Sequence, residues 1–121
     1  MDTTTEDIQR RDMDITKLHP NQGQVEGLPK NPRFIRDPKF KKLVKSIQDD
    51  PEMLELRELI VYDTQDERGF VIIGGNMRYE ALRKLKYKTA VCKILPHDFP
   101  MDKMRRIVLK DNSSFGETNF D

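Results

Sequence analysis

The run Phe70-Val71-Ile72-Ile73-Gly74-Gly75-Asn76-Met77-Arg78-Tyr79-Glu80-Ala81-Leu82 decides how the chain is to be read. Four apolar residues ahead of a glycine pair predict a short buried strand, and the glycines permit positive φ and close approach of a ligand to bare backbone. Asn76 is placed to cap a following helix, in which Met77, Ala81, Leu82 and Leu85 fall on one side. Arg78 then sits in the first turn, where the helix dipole favours negative charge. A bound anion would compensate this arginine, because first-turn N–H groups attract the same ligand. Paired glycines between a strand and a helix also serve simply as a tight turn, so local chemistry leaves both readings standing.

Working outward, Leu59-Ile60-Val61-Tyr62 is a second β-rich run, and the polar stretch Asp63–Gly69 joins it to the first as a hairpin. Downstream, Ala90–Leu95 predicts another strand closed by Pro96. A final helix opens at Asp98 or Pro100, with Met101, Met104, Ile107, Val108 and Asp111 on one face and Asp111-Asn112 at its C-terminal end. Upstream, Asp37-Pro38 is a strong helix start, and Phe40, Leu43, Val44 and Ile47 give the apolar stripe of a helix that ends at Asp50-Pro51. Ile15–Leu18 predicts a short strand, followed by a long loop over residues 19–37 of the kind that forms binding segments. Residues 1–14, with five acidic side chains and no apolar periodicity, are read as a mobile leader.

At 121 residues the chain suits one domain with a modest core. Hydrophobic and charged residues each make up 36%, a charge-rich balance that still leaves enough apolar pattern to exclude wholesale disorder. No apolar run has transmembrane length and no signal-type leader is present, so the expected compartment is cytoplasmic, with no membrane partner. The single cysteine, Cys92, lies in an apolar strand and reads as a buried, inert thiol. A net charge of +1 conceals segregation: residues 78–110 carry ten basic side chains against three acidic ones. Lys41, Lys42 and Lys45, and later Arg105 and Arg106, are candidates for nucleic-acid contact, although a solvated helix face explains such blocks as well. His19 and His97 each neighbour a proline in a predicted loop, and no serine triad, zinc pattern or EF-hand spacing is visible.

The run Gly74–Ala81 resembles the phosphate-binding turn of the ParB-like nuclease domain family, whose fold is shared with the sulfiredoxins. Asn31-Pro32-Arg33, followed by Phe40, Leu43 and Ser46-Ile47, resembles the family's upstream signature, and Asp111-Asn112 stands where the family has an acidic-Asn pair. Together these motifs span roughly residues 15–112. The resemblance implies an α+β domain of ParB/sulfiredoxin-like type, a small mixed sheet flanked by helices. It divides the chain into a leader (1–14), the ParB-like domain (15–112) and a tail or linker (113–121). In several relatives from phage and mobile elements, to which the chain looks closer than to chromosomal ParB, that point leads into a further domain.

Carried over residue by residue, the resemblance implies that Gly74, Gly75, Asn76 and Met77 offer backbone N–H groups to the phosphates of a nucleoside triphosphate, CTP or ATP. Arg78 would clamp them with a charge-assisted fork. Asn31 and Arg33 would line the same pocket, and Asp111 or Asn112 would help hold Mg²⁺ through oxygen. Chromosomal ParB proteins have an acidic residue and two arginines where this chain has Asn76, Met77 and Arg78, and another arginine where Phe115 stands. Sulfiredoxin places its nucleophilic cysteine at the position of Asn76, and an amide cannot form a thiolate, which argues against that repair chemistry.

Three function classes follow. The first is a nucleotide- or phosphate-binding domain acting in DNA binding or processing, with DNA as partner and a fused or separate downstream domain. The second is a metal-dependent nuclease or nucleoside triphosphate hydrolase; the third is a protein-interaction domain with a vestigial pocket. Homodimer formation is compatible with each. The chain shows one phosphate clamp and no paired carboxylates suited to a two-metal site, which favours binding over hydrolysis.

Overall fold

The computed structural model describes residues 8–29, 37–52 and 58–116. In chain order the elements are β1 (Gln9–Asp14), a 3₁₀ turn (Ile15–Lys17), β2 (Leu18–His19), α1 (Asp37–Asp49), β3 (Leu59–Asp63), β4 (Phe70–Gly74), α2 (Asn76–Lys84), β5 (Thr89–Leu95) and α3 (Met101–Gly116). The strands form one sheet in the order β1-β5-β3-β4-β2. It is mixed: β1 with β5 and β3 with β4 are antiparallel, whereas β3 with β5 and β2 with β4 are parallel. The α+β class and the β3–β4 hairpin agree with the sequence reading.

Strand alternation sends successive side chains to opposite faces, and both faces are covered. Leu59, Val61, Ile72, Cys92 and Ile94 pack with Val44 and Ile47 of α1 and with Ala81 and Leu82 of α2. Tyr62, Val71, Ile73 and Leu95 pack with Met104 and Val108 of α3, and with Val25 and Leu28 from the loop after β2. The apolar stripes expected on α1 and α3 are therefore those the sheet buries. Cys92 has no solvent exposure, and burial pushes its thiol pKa up to about 12, as suits an inert packing residue.

Three expectations are corrected. The leader assigned to residues 1–14 overlaps β1, which pairs with β5 from Gln9↔Ile94 to Asp14↔Thr89. Its only buried side chain is Met13, so it has no apolar alternation to announce it; the ladder to β5 supplies what side-chain pattern does not. The strand expected at Ile15–Leu18 is mostly the 3₁₀ turn, because the Asp14 carboxylate accepts from the Thr16 N–H (2.9 Å) and hydroxyl (2.7 Å) and so caps a turn. At the other end, the tail assigned from residue 113 begins inside α3, whose backbone stays helical to Gly116.

The described part of the long loop, residues 20–29, is also more organised than its Pro and Gly content suggested. Asn21, 2% exposed, accepts from the Gly23 N–H through Oδ1 (3.2 Å) and donates to the Pro29 carbonyl through Nδ2 (2.9 Å). The Gln24 amide closes the same segment by donating to the Pro20 carbonyl (3.0 Å). From outside, the Arg68 guanidinium donates to the Gln24 carbonyl (3.0 Å) and Arg105 Nε to the Gly27 carbonyl (3.1 Å). These bonds satisfy carbonyls that Val25 and Leu28 draw toward the core.

Candidate functional site

The site starts at the end of β4. Register between β3 and β4 slips between Ile60 and Val61, so that Ile60 pairs with Gly74 but Val61 with Ile72, giving β4 one extra residue. A bulge of this kind re-aims the strand end. A Cβ at Gly74 would make ordinary contact with Ile60 (3.4 Å) and Ile107 (3.5 Å). Gly75 is more constrained: its φ is +91°, and a Cβ there would lie 2.7 Å from buried Leu59 Cδ2 and 3.1 Å from Arg78 Nη1. The second glycine is thus required by backbone conformation and by space together.

Gly75, not Asn76, is the N-cap of α2, and no side chain caps the helix. The Tyr79 N–H donates to the Gly75 carbonyl (2.9 Å), so the amides of Asn76 and Met77 lie ahead of the first helical bond and have no acceptor within the helix. The first turn holds no acidic residue. Arg78 lies in that turn with its guanidinium folded toward Gly75, which gives the turn amides and a cation in one place. Such a cradle can hold an anionic oxygen.

The expected capping role of Asn76 is replaced by a deeper one. Its side chain is buried, 2% exposed, and joins three segments. Oδ1 accepts from the Asn21 N–H (3.1 Å), while Nδ2 donates to the Ile72 carbonyl (3.2 Å) and to Asp111 Oδ2 (3.3 Å). The turn geometry decides this: with Gly75 already in the cap position, Asn76 starts the helix and its side chain points inward, where an amide can donate and accept at once.

Asp111 reaches the same place from α3. Its Oδ1 accepts from the Gly75 N–H (3.0 Å), completing a carboxylate bridge across the turn. Because α3 continues beyond it, Asp111 acts from within the helix and not from free carbonyls at its end. The carboxylate still has lone pairs that could face a cation. Among the described residues, no group of three or more His, Cys, Asp or Glu side chains is arranged to hold a metal. Asn31, Arg33 and the side chain of Asn112 lie outside the described residues.

The basic candidates do not form one surface. Lys41, Lys42 and Lys45 are exposed on α1, against one face of the sheet, and Lys45 pairs with Asp49 (3.3 Å). Arg105 and Arg106 are on α3, against the other face. Arg105 is tied to Gly27, and Arg106 pairs with Asp102 at 3.0 Å. Sequence reasoning missed Asn21 altogether. Its only signal is its place after Pro20, which reads as a turn and carries no hint that its backbone meets Asn76 fifty-five residues away.

No protein-family model and no curated protein sequence matches the chain. Solved structures do match. The C-terminally truncated chromosome-partitioning protein ParB of Caulobacter crescentus, complexed with CTP-γ-S, is 20% identical at a TM-score of 0.63, over 88% of this chain and 53% of that one. A Pnob8-like ParB-N domain is 20% identical at a TM-score of 0.59, over 88% and 37% respectively. A free serine kinase in complex with AMP is 16% identical at a TM-score of 0.50, over 73% and 31%. The chain therefore spans about half of the first of these structures and less of the others. With its five-stranded mixed sheet, covered on both faces and feeding a glycine turn into α2, the chain has the fold of the ParB N-terminal domains.

Proposed function

We propose that the chain is a ParB-like nucleotide-binding domain that acts with DNA, and that the Gly74–Arg78 turn receives the nucleotide phosphates. The observation that carries this reading is the turn at Gly75: with φ +91° it starts α2 without a side-chain cap, and the Arg78 guanidinium folds back over it, Nη1 lying 3.1 Å from where a Gly75 Cβ would stand. Helix-start amides, a folded-back arginine and no acidic residue in the first turn suit a polyanion. Structures of this fold were obtained with CTP-γ-S and with AMP, and one ParB with its centromeric parS site, which supports nucleotide as ligand and DNA as partner.

In this reading the N–H groups of Asn76 and Met77 donate to the phosphate oxygens and Arg78 clamps them. Asp111, with Asn112 beside it, would hold a Mg²⁺ that neutralises the phosphates, an assignment supported by the position of the carboxylate on the turn. Asn76 holds Asp111 and the 20–29 loop against the turn, so Asn31 and Arg33 follow a segment anchored to the site. Exposed cations of α3, Arg105 and Arg106, supply the sequence-independent part of DNA contact.

The test is calorimetric titration of CTP and of ATP, each with Mg²⁺, into the wild type and Arg78→Ala. A charge-assisted hydrogen bond contributes about 1.5–3 kcal/mol, so the variant should bind about ten to a hundred times more weakly. Absence of binding by either nucleotide refutes the reading. Equal binding by wild type and variant moves the site away from the turn.

A further inference from the structure

A cavity of about 390 Å³ opens between α1 and the C-terminal end of α2, lined by Phe40, Lys41, Val44, Lys45, Gln48 and Lys84. It is distinct from the glycine turn, which sits at the other end of α2, roughly 13 Å away at the helical rise of about 1.5 Å per residue. Phe40 and Val44, four residues apart on α1, make an apolar floor continuous with the core. Lys41 and Lys45 stand along one rim, and Lys84, the last residue of α2, along the other.

The charge is one-sided. Asp49 pairs with Lys45 at 3.3 Å with both partners exposed, and Glu80 is engaged by Arg83 at 3.5 Å. Among the described residues neither Lys41 nor Lys84 has an acidic partner. An apolar floor between cationic rims is complementary to an apolar side chain flanked by carboxylates.

We propose that this groove docks an acidic amphipathic segment of a partner protein, an apolar anchor seated on Phe40 and Val44 with its carboxylates paired to Lys41, Lys45 and Lys84. A duplex would contact the lysines but leave the apolar floor unused, since its backbone is followed by open basic surface and not by a concave slot. Helix-in-groove docking uses both features, burying anchors at helical spacing while rim charges fix register and specificity.

The experiment is independent of the nucleotide site. A synthetic acidic helix of about four turns, with leucines at i, i+4 spacing among glutamates, is titrated into the whole chain and followed by amide chemical shifts. Two controls accompany it: the same peptide with serine for leucine, and a single-stranded oligothymidine. Saturable shifts confined to residues 40–48 and 84, weakened about tenfold by the double variant Lys41→Glu/Lys45→Glu and lost with the serine peptide, are expected. Both lysines are exposed, so the double variant exchanges only the surface Lys45–Asp49 pair for like-charge neighbours at i,i+4; it should stay folded, melting slightly below the wild type, and keep the wild-type nucleotide affinity. No saturable binding, equal binding by the serine peptide, or tighter binding of the oligonucleotide at these residues overturns the proposal.

Discussion

The glycine turn and the loop of residues 20–29 meet at Asn76, and they are held by opposite means. The turn is fixed by backbone: Gly75 takes φ +91° in a space bounded by Leu59 and Arg78, and no side chain caps the helix it begins. The loop is fixed by side chains: Asn21 bonds at both ends of it, while Val25 and Leu28 anchor it in the core. A site wall built from a glycine tolerates nothing larger, whereas one built from an asparagine network tolerates changes of size but not of hydrogen-bonding sense. The difference predicts where each half of the site will break.

The largest effect is expected at Gly75→Ala. Positive φ costs an L-residue about 1–2 kcal/mol, and crowding buried Leu59 adds about 1–3 more, so urea unfolding should show a loss of about 3 kcal/mol. The neighbouring Gly74→Ala should cost less than about 1 kcal/mol, because its methyl would meet Ile60 and Ile107 at ordinary contact distance. If the two variants are equally destabilised, neither the positive φ of Gly75 nor its closeness to Leu59 sets the turn apart.

Next comes Asn76→Ala, which removes the acceptor of the buried Asn21 N–H and the donor to Asp111. Leaving buried polar groups unpaired should cost about 2 kcal/mol, and amide hydrogen exchange should quicken at Asn21 together with Gly75. Faster exchange at only one of the two positions would separate the loop from the turn. Asn21→Ala keeps its backbone N–H but loses the Gly23 and Pro29 bonds, so a smaller loss of about 1 kcal/mol is expected, with protection at Gly75 preserved.

The smallest effect tests the outer support of the loop. Asp66 accepts from the Arg68 guanidinium and N–H, which hold its carboxyl below the usual range, and the same guanidinium reaches the Gln24 carbonyl. Because the folded pKa is depressed, the stabilisation is present above the unfolded value near pH 4 and is lost as pH falls through the folded one. Wild type should therefore melt slightly above Asp66→Asn at neutral pH, and the gap should narrow as the pH drops below about 4. A gap that widens on acidification would overturn this assignment.

Legibility in the sequence followed the same divide. The β3–β4 hairpin, the glycine turn and the apolar stripes of α1 and α3 were readable because each rests on local periodicity or on glycine. β1 was not, since Gln9–Asp14 buries only Met13 and owes its conformation to β5, which enters the chain some eighty residues later. The inward turn of Asn76 was hidden for a related reason: an Asn after a glycine pair is a good cap until the preceding glycine takes that place itself. For Arg105 and Arg106 the sequence registers charge, while the Gly27 carbonyl and Asp102 carboxylate they also engage come into reach only in the fold.

By itself, then, the sequence determined an α+β chain with a strand-to-helix glycine turn and an arginine in its first turn, because strand and helix periods and the conformational freedom of glycine are local properties. Only the tertiary structure decided that Asp111 closes on Gly75, that Asn21 meets Asn76, and that the lysines of α1 lie across the sheet from the arginines of α3. Those relations join residues far apart in the chain, and they arise from sheet order and from which helix covers which face.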